Sequence, residues 1–461
     1  MKIHVRPLLW AFFVCLFLIA AKEAGAASLA SYERISDDSA LRLALADMIQ
    51  SQKPDTLLLI QPSLQNIPGG EKVQVRTEDG GAEVLLIIAR ELKDAAGAKL
   101  YGFYPGWVQG SWVIAVNKES GLVSRLRLFL KNDPNIYLQF SPFDDGSEKS
   151  YCSIVVYNAI LCQNSIIPLA FSTILTNPLD KTLKIAGQTC PLKYFDTDNL
   201  INTDTINFIK TVQEQIKDFT FVDDGAMNEK GQFVYIETGD LQKISESPGG
   251  FNCSGFTKWL IDGMLEPVSG ELLAIPPLKA PVGGRGNNFT QKYESLDPFF
   301  GLDWTRNLAI MANSTLRSPS FATLEEFEVR TVPFDRIIDR KNANAVVNYP
   351  NYLDNAGWTM PGLEALLFTL AVNQPGRLYL AAVNNVQYAK TTADNPRGLP
   401  HLRTYFHVAA LIPYFNEYGN FQVAIFESAA ETSIKDFVGR YSPDTCVNLC
   451  AVPIVLPFAG P

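Results

Sequence analysis

The chain has 461 residues, of which 47% are hydrophobic and 19% are charged, a composition that is typical of a packed globular protein and excludes a largely disordered one. This length exceeds the usual span of a single hydrophobic core, so two domains are predicted. The formal net charge is -9 and the sequence pI is about 5.1. An acidic protein of this kind is not expected to bind nucleic acid, because such binding depends on basic side chains that displace counterions from the phosphates.

Residues 1–26 have the three parts of a secretory signal. Lys2 and Arg6 give a positive start, residues 7–21 form an apolar run, and residues 24–26 are small. The apolar run is shorter than the roughly 20 residues that a membrane-spanning helix needs, which favours a cleaved signal peptide. The alternative is that the segment stays attached as an uncleaved membrane anchor. No later stretch has the length and apolarity of a membrane span, so a soluble mature protein that is periplasmic or secreted is predicted.

Residues 27–203 are predicted to form a β-rich domain. A helical stretch at 39–52 is followed by short apolar runs that turn residues separate, as in β-sandwiches and β-barrels. These runs cover residues 84–88, 112–116, 122–130, 136–140 and 154–161. The domain has no histidine, and no pair of its acidic residues lies in a sequence context typical of a catalytic site. A binding or spacer module is therefore favoured.

Residues 204–245 are interpreted as a connecting segment. Apolar residues recur at helical spacing over 205–216, and residues 232–236 are predicted to form a strand. Pro248-Gly249-Gly250 then breaks the chain before another helix. The rest, residues 246–461, is predicted to form a second domain of the α+β class.

Histidine usage limits the chemistry. The chain has three histidines: His4 lies in the signal, which leaves His401 and His407. A histidine-rich zinc or iron site is nearly excluded, and neither a metal nor a cofactor is expected. His401 follows Pro400 in a stretch typical of loops, where a solvated surface imidazole is favoured over one that lines a cleft.

Six cysteines follow the signal, and export permits disulfides. Cys152 and Cys162 flank an apolar stretch that is able to fold back as a hairpin, and Cys446 lies close to Cys450 in the sequence. These two pairs are the predicted disulfides, although sequence does not fix connectivity. The remaining cysteines, Cys190 and Cys253, would then be free thiols.

One cysteine lies in a distinctive motif. The segment reads Gly249-Gly250-Phe251-Asn252-Cys253-Ser254-Gly255-Phe256-Thr257-Lys258-Trp259-Leu260. Apolar residues then recur at helical spacing, which predicts a buried helix that begins near Cys253 with Asn252 as its N-cap. A thiol in the first turn experiences the positive helix end, which favours thiolate, and the nearby N–H groups suit an oxyanion. Gly250 and Gly255 are interpreted as making room for a substrate backbone.

This motif resembles the nucleophile motif of the NlpC-type cell-wall peptidases, which are papain-like cysteine enzymes. The resemblance implies a papain-like α+β catalytic domain with a long insertion, Cys253 as nucleophile, and a peptide of peptidoglycan as substrate. Asn252, Ser254 and Gly255 are then candidates for contacts with substrate or oxyanion. The family motif typically has Asp where this chain has Asn252, so a contact through that acid is not carried over.

The family also has a strand that carries a histidine downstream, followed by a third polar residue on the next strand. Residues 406–412 match a buried strand with His407 at its start, and residues 416–420 match a turn. A five-residue loop pairs Phe415 with Phe421, which makes His407 and Glu427 diagonal neighbours on one face. Glu427 is therefore predicted to orient the imidazole, although the family usually has His, Asn or Gln there; Glu431 and Asn420 are the fallback candidates.

The long interval between Cys253 and His407 contains a predicted helix start at residues 301–309 with Asp303 and Arg306 exposed. Its functional interpretation is a wall that faces the substrate, and its structural interpretation, which is favoured, is a surface helix with Trp304 packed.

The leading hypothesis is an exported cysteine hydrolase that cleaves amide bonds by Cys–His catalysis. One alternative is a secreted acyltransferase or deamidase that uses the same residues on a protein or a lipid. The other is an envelope protein without catalysis on a degenerate peptidase scaffold, which a disulfide between Cys253 and Cys190 would favour.

Overall fold

The computed structural model describes residue 35 and residues 37–90, 112–131, 133–143, 146–243, 249–283, 297–316, 323–339, 345–388 and 400–461. The predicted export signal at 1–26 lies outside these residues. The chain is of the α+β class and divides into two compact units, one of Met1–Val155 with Cys162–Asp198 and the other of Val156–Leu161 with Asn199–Pro461.

The first unit is built on a large antiparallel sheet. Its strands are β1 (Ser63–Asn66), β2 (Lys72–Asp79), β3 (Glu83–Arg90), β4 (Trp112–Asn117), β5 (Val123–Leu128), β6 (Ile136–Pro142), β7 (Ser150–Val156) and β8 (Ala159–Ile167). Each predicted apolar run coincides with a strand, and the run at 154–161 folds back as the β7–β8 hairpin. The described strands follow one another in space as they do in sequence, which confirms that this unit is β-rich.

Helices complete this unit. They are α1 (Ser39–Ser51), α2 (Pro54–Leu57), α3 (Phe171–Ile174) and α4 (Leu179–Ala186), with 3-10 turns at Leu192–Phe195 and Asp198–Leu200. The Arg42 guanidinium of α1 lies 4.7 Å from the centre of the Trp112 ring on β4, and Leu57 of α2 is fully buried. Helices therefore cover apolar sheet surface that a second sheet would cover in a sandwich.

The second unit contains seven α-helices among its described residues. They are α5 (Thr203–Gln215), α6 (Cys253–Ser269), α7 (Ile275–Leu278), α8 (Phe300–Leu316), α9 (Leu324–Phe327), α10 (Leu363–Asn373) and α11 (Ile434–Gly439), with 3-10 turns at Ile216–Asp218 and Met360–Gly362. The helix predicted over 205–216 is confirmed as α5. None of the helices in the described ranges has the length and apolarity to cross a membrane.

Twelve strands lie in the described part of the second unit. They are β9 (Thr220–Phe221), β10 (Gly225–Met227), β11 (Phe233–Tyr235), β12 (Gly250–Phe251), β13 (Arg336–Ile338), β14 (Val346–Asn348), β15 (Trp358–Thr359), β16 (Arg377–Tyr388), β17 (Pro400–Phe415), β18 (Phe421–Glu427), β19 (Ala430–Thr432) and β20 (Cys446–Pro453). The main sheet has six strands in the order β15-β20-β16-β17-β18-β19. The long strands β16 and β17 lie at its centre, and β20 is beside β16.

Helix α6 forms the apolar core of this unit together with α8 and the sheet. Its predicted apolar stripe is confirmed, since Phe256, Leu260 and Met264 have no exposed side-chain surface. The helix packs against α8 and β17. It also carries a fully buried ion pair, in which Lys258 Nζ lies 2.5 Å from Asp262 Oδ2.

Helix α8 differs from its prediction. Trp304 is packed as expected, but Asp303 and Arg306 are only 2% and 3% exposed. Asp303 accepts a hydrogen bond from the Val282 N–H at 2.9 Å, and Arg306 pairs with Glu328 at 2.7 Å. These two charged side chains are buried because each has a partner, so the prediction that they are exposed was wrong.

The six cysteines that follow the signal are all free thiols in this structure. Cys446 and Cys450 both lie on β20, paired with Asn384 and Leu380, and four steps along an extended strand separate them by about 13 Å. This is too far for the predicted disulfide. The other predicted pair is also absent, because Cys162 faces Cys190, at 3.1 Å between the sulfurs.

Candidate active site

The start of α6 positions Cys253. Asn252 is the N-cap, as predicted, and its Oδ1 accepts a hydrogen bond from the Gly255 N–H at 2.8 Å. Cys253 is therefore the first residue of a 17-residue helix, at the end where the helix dipole is positive. Its side chain is mostly buried, with 8% exposed.

The residues beside Cys253 have partners within the protein. The Gly255 N–H is used by the N-cap, and Ser254 is fully buried, with its carbonyl oxygen accepting a hydrogen bond from Trp304 Nε1 at 2.9 Å. Asn252 thus orders the turn that presents the thiol. These contacts give Asn252, Ser254 and Gly255 a structural role at the site.

The two glycines of the motif are required for packing. A Cβ atom at Gly255 would lie 2.0 Å from the Gly225 oxygen, and one at Gly250 would lie 2.3 Å from the Thr220 oxygen. The space beside both glycines is therefore filled by the protein's own backbone. This corrects the interpretation that they make room for a substrate.

His407 lies on β17, next to an irregularity in the sheet. The strand has 16 residues and begins at Pro400, so His407 is in its middle and the predicted strand start was wrong. His407 pairs with Val383 and Tyr405 pairs with the next residue, Asn384, which leaves Phe406 as the extra residue of a β-bulge. Bulges redirect neighbouring side chains and often occur beside active sites.

The β17–β18 hairpin brings Glu427 to His407. Phe415 pairs with Phe421 and Ala410 with Phe426, which confirms the predicted register. Glu427 Oε2 lies 2.6 Å from His407 Nε2. The two side chains are diagonal neighbours on one face, as the loop length predicts.

The thiol of Cys253 lies close enough to the ring of His407 that a hydrogen bond with it is one cause of the raised pKa of the imidazole. The Glu427 carboxylate contacts Nε2, so Nδ1 is the ring nitrogen that does not contact Glu427. Cys253, His407 and Glu427, which the sequence placed in one site, therefore form a continuous chain of polar contacts.

Electrostatics favour the charged form of the imidazole. Burial alone would lower the pKa of His407, but hydrogen bonds to Cys253 and Glu427 and the charges of both raise it from 6.5 to about 9. Burial would likewise raise the pKa of Glu427, yet its hydrogen bonds with His407 and Thr432 hold it at about 2. At neutral pH the site thus contains an imidazolium between a carboxylate and the sulfur.

Three residues around Glu427 were not predicted from the sequence. Thr432 donates a hydrogen bond to Glu427 Oε1 at 2.8 Å, and Arg440 pairs with the same oxygen. Tyr441 is the third of these residues. Burial raises its pKa to about 12; the charges on Glu427 and Cys253 add to this rise, and the charge on Arg440 opposes it. Only the path of the chain through β19 and α11 brings these residues to the site, so no sequence motif marks them.

The fallback candidates lie elsewhere. Glu431 accepts a hydrogen bond from Gln213 at 2.9 Å, and Asn420 closes the turn by donating its N–H to Asn416. The backbone of His401 lies in β17 rather than in the predicted loop, and its side chain is outside the described residues. Among the side chains that the structure describes, no three His, Cys, Asp or Glu residues are arranged to hold a metal ion.

Comparison with known proteins gives one match. A protein-family model described as a domain of unknown function (DUF8515) matches residues 31–194. No curated protein and no solved structure is significantly similar to the chain. The family match ends before Cys253, so it does not include the residues of the candidate active site.

Proposed function

We propose that the protein is an exported cysteine hydrolase that cleaves amide bonds in peptides of peptidoglycan. The observation that carries the proposal is the chain of contacts from the Cys253 sulfur through the His407 imidazole to the Glu427 carboxylate. A nucleophile, a base in contact with it and a third group that orients the base are the three parts of nucleophilic acyl transfer.

The charge state of His407 supports proton transfer to the leaving group. With the pKa of His407 at about 9, the imidazole is protonated at neutral pH and carries the proton that the leaving amine needs. The thiolate attacks the amide carbonyl, and the imidazolium then protonates the leaving amine as a C–N bond breaks. The products of this half-reaction are a thioester on Cys253, a free amine and a neutral imidazole.

The same residues complete the cycle. Neutral His407 takes a proton from water, whose oxygen attacks the thioester carbonyl, and the thiolate of Cys253 leaves. The proposed source of oxyanion stabilisation in both steps is the first turn of α6, which begins at Cys253 and includes the N–H of that residue. Glu427 contacts Nε2, and its proposed role is to orient the ring so that Nδ1 serves the sulfur.

The substrate class follows from the resemblance of the motif around Cys253 to that of NlpC-type peptidases. The second unit has a cysteine at the start of a buried helix and a histidine on the antiparallel sheet against which that helix packs, which supports a papain-like arrangement. The signal-like residues 1–26 support export to the compartment that contains peptidoglycan. The β-rich first unit is proposed to place the enzyme on its target.

Digestion of purified peptidoglycan tests the proposal. The wild-type protein is expected to release new amino groups, whereas Cys253→Ala and His407→Ala should reduce release by at least about 1000-fold, as in other nucleophile–base pairs. Cys450→Ala removes a thiol outside the proposed mechanism and should retain activity. Equal release by wild type and Cys253→Ala would refute the mechanism.

The acyltransferase alternative is tested in the same assay. Formation of a thioester on Cys253 that persists until an added amine removes it, without release of acid in water, would identify a transferase. Hydrolysis at equal rates with and without the amine supports the hydrolase.

A further inference from the structure

Three cysteines of the first unit converge on one point. The Cys190 sulfur lies 3.1 Å from the Cys162 sulfur and 3.8 Å from the carbonyl oxygen of Cys152. The Cys152 side chain is also close enough to be the largest cause of the raised pKa of Cys190. Cys152 is on β7, Cys162 is on β8, and Cys190 lies between α4 and the 3-10 turn at Leu192–Phe195.

Burial distinguishes the three thiols. Cys152 is fully buried and Cys190 is 2% exposed, whereas Cys162 is partly exposed and contacts the Ser165 hydroxyl at 2.9 Å. An external oxidant therefore reaches Cys162 first. The sulfurs of Cys162 and Cys190 are already about 1 Å from the separation of a disulfide, which is roughly 2.05 Å.

We propose that Cys162 and Cys190 form a disulfide in the oxidised protein and that Cys152 remains a thiol. The bond would join β8 to the chain that follows α4. It would close a loop that contains α3 and α4 and so fix these short helices against the sheet. A cross-link of this kind stabilises a fold mainly by restricting the unfolded chain.

A low-molecular-weight disulfide such as oxidised glutathione is a sufficient oxidant. The Cys162 thiolate attacks one glutathione sulfur, and the S–S bond breaks to release the first glutathione thiol. The Cys190 thiolate then attacks the Cys162 sulfur of the mixed disulfide and releases the second. Two protein thiols are oxidised, one glutathione disulfide is reduced to two thiols, and the two protons go to the leaving thiolates.

The contacts of the two thiols also predict how fast the disulfide between Cys162 and Cys190 forms. Hydrogen bonding with Cys190 and then burial raise the pKa of the Cys162 thiol, and contact with Cys152 is the largest cause that raises the pKa of Cys190 to about 12. The thiolate that starts exchange is therefore scarce at neutral pH. Oxidation is expected to take hours at pH 7 and to accelerate as the pH rises.

The test is a disulfide map of the full-length wild-type protein. The reduced protein is incubated with oxidised glutathione at pH 8.5, unfolded, and alkylated with N-ethylmaleimide. Trypsin leaves Cys152 and Cys162 on one peptide, because no Lys or Arg lies between residues 149 and 181, so chymotrypsin is added to cleave after Tyr157. Mass spectrometry should find Cys162 linked to Cys190 and Cys152 alkylated.

Three other results would overturn the proposal: a link from Cys152 to Cys190, a link from Cys152 to Cys162, or alkylation of all three thiols. Cys152→Ala is the matched control and should still form the link. Oxidation should raise the melting temperature of wild type and of Cys152→Ala by several degrees, but should leave that of Cys162→Ser unchanged.

Discussion

Glu427 shows how one side chain sets the state of the proposed catalytic base. Its Oε2 contacts His407, while its Oε1 accepts a hydrogen bond from Thr432 and pairs with Arg440. The family that the motif resembles usually has a neutral or basic residue in this position. A carboxylate there adds a charge that stabilises the imidazolium, so the protonated form of His407 should persist to higher pH than an amide would allow.

Glu427→Gln tests this charge directly. The amide can still bond to Nε2 but lacks the negative charge, so the pKa of His407 should fall from about 9 towards its ordinary value. The alkaline limb of kcat/KM should therefore move down by about two pH units, with about a 10-fold loss at pH 8.

Glu431→Gln is the matched control, because Glu431 is bonded to Gln213 and not to His407. Its pH profile should equal that of the wild type. An unchanged alkaline limb in Glu427→Gln would show that the carboxylate does not set the charge state of His407.

At the scale of elements, the position of the thiol depends on how closely α6 approaches β10. The absence of a side chain at Gly255 permits that approach, since a Cβ there would lie 2.0 Å from the Gly225 oxygen. Backbone atoms cannot move aside as the end of a flexible side chain can. The first turn of α6 would have to shift, and Cys253 would shift with it.

Gly255→Ala should destabilise the protein by about 3 kcal/mol and reduce any activity that depends on Cys253. Gly439→Ala at the end of α11 is the control, because its Cβ would have no atom within 4 Å, and it should change stability by less than about 0.5 kcal/mol. Chemical denaturation measures both changes. Equal stability of the two variants would contradict the packing argument.

The β17–β18 hairpin was predictable because its information is local. Residues 416–420 fix the loop, and the two-residue period of the strands then fixes which side chains share a face. The bulge at Phe406 was not predictable, because it arises from pairing with Asn384 and Val383, and no signal in the residues around His407 indicates it.

The burial of charged residues was the hardest feature to predict. Asp303 and Arg306 were expected to be exposed because an unpaired charge is costly to bury. Their partners, Val282 and Glu328, lie in other segments, and only the folded chain brings them together. The site shows the same limit, since Arg440, the residue that follows α11, contacts Glu427.

For the whole molecule, the two units carry different chemistry. The first has three thiols around Cys190, whereas the second contains the contacts among Cys253, His407 and Glu427. The two proposals are therefore tested separately, because Cys162→Ser leaves the proposed catalytic residues unchanged and Cys253→Ala leaves the thiol cluster unchanged.

The stability of the whole chain should depend on pH through the same site. The pKa of His407 is raised from 6.5 to about 9, so its contribution is complete below pH 6.5 and is lost as the pH rises through 9. The pKa of Glu427 is lowered from 4.5 to about 2, so its contribution is complete above pH 4.5 and is lost as the pH falls through 2.

The free energy of unfolding, compared with that of a His407→Gln/Glu427→Gln double variant, should therefore have its largest difference between pH 4.5 and 6.5. The difference should be on the order of 2–3 kcal/mol and should shrink towards pH 10 and pH 2. Urea denaturation of both proteins across this range measures it. A difference that stays constant from pH 6 to pH 10 would mean that His407 gains no stabilisation from its partners when it is charged.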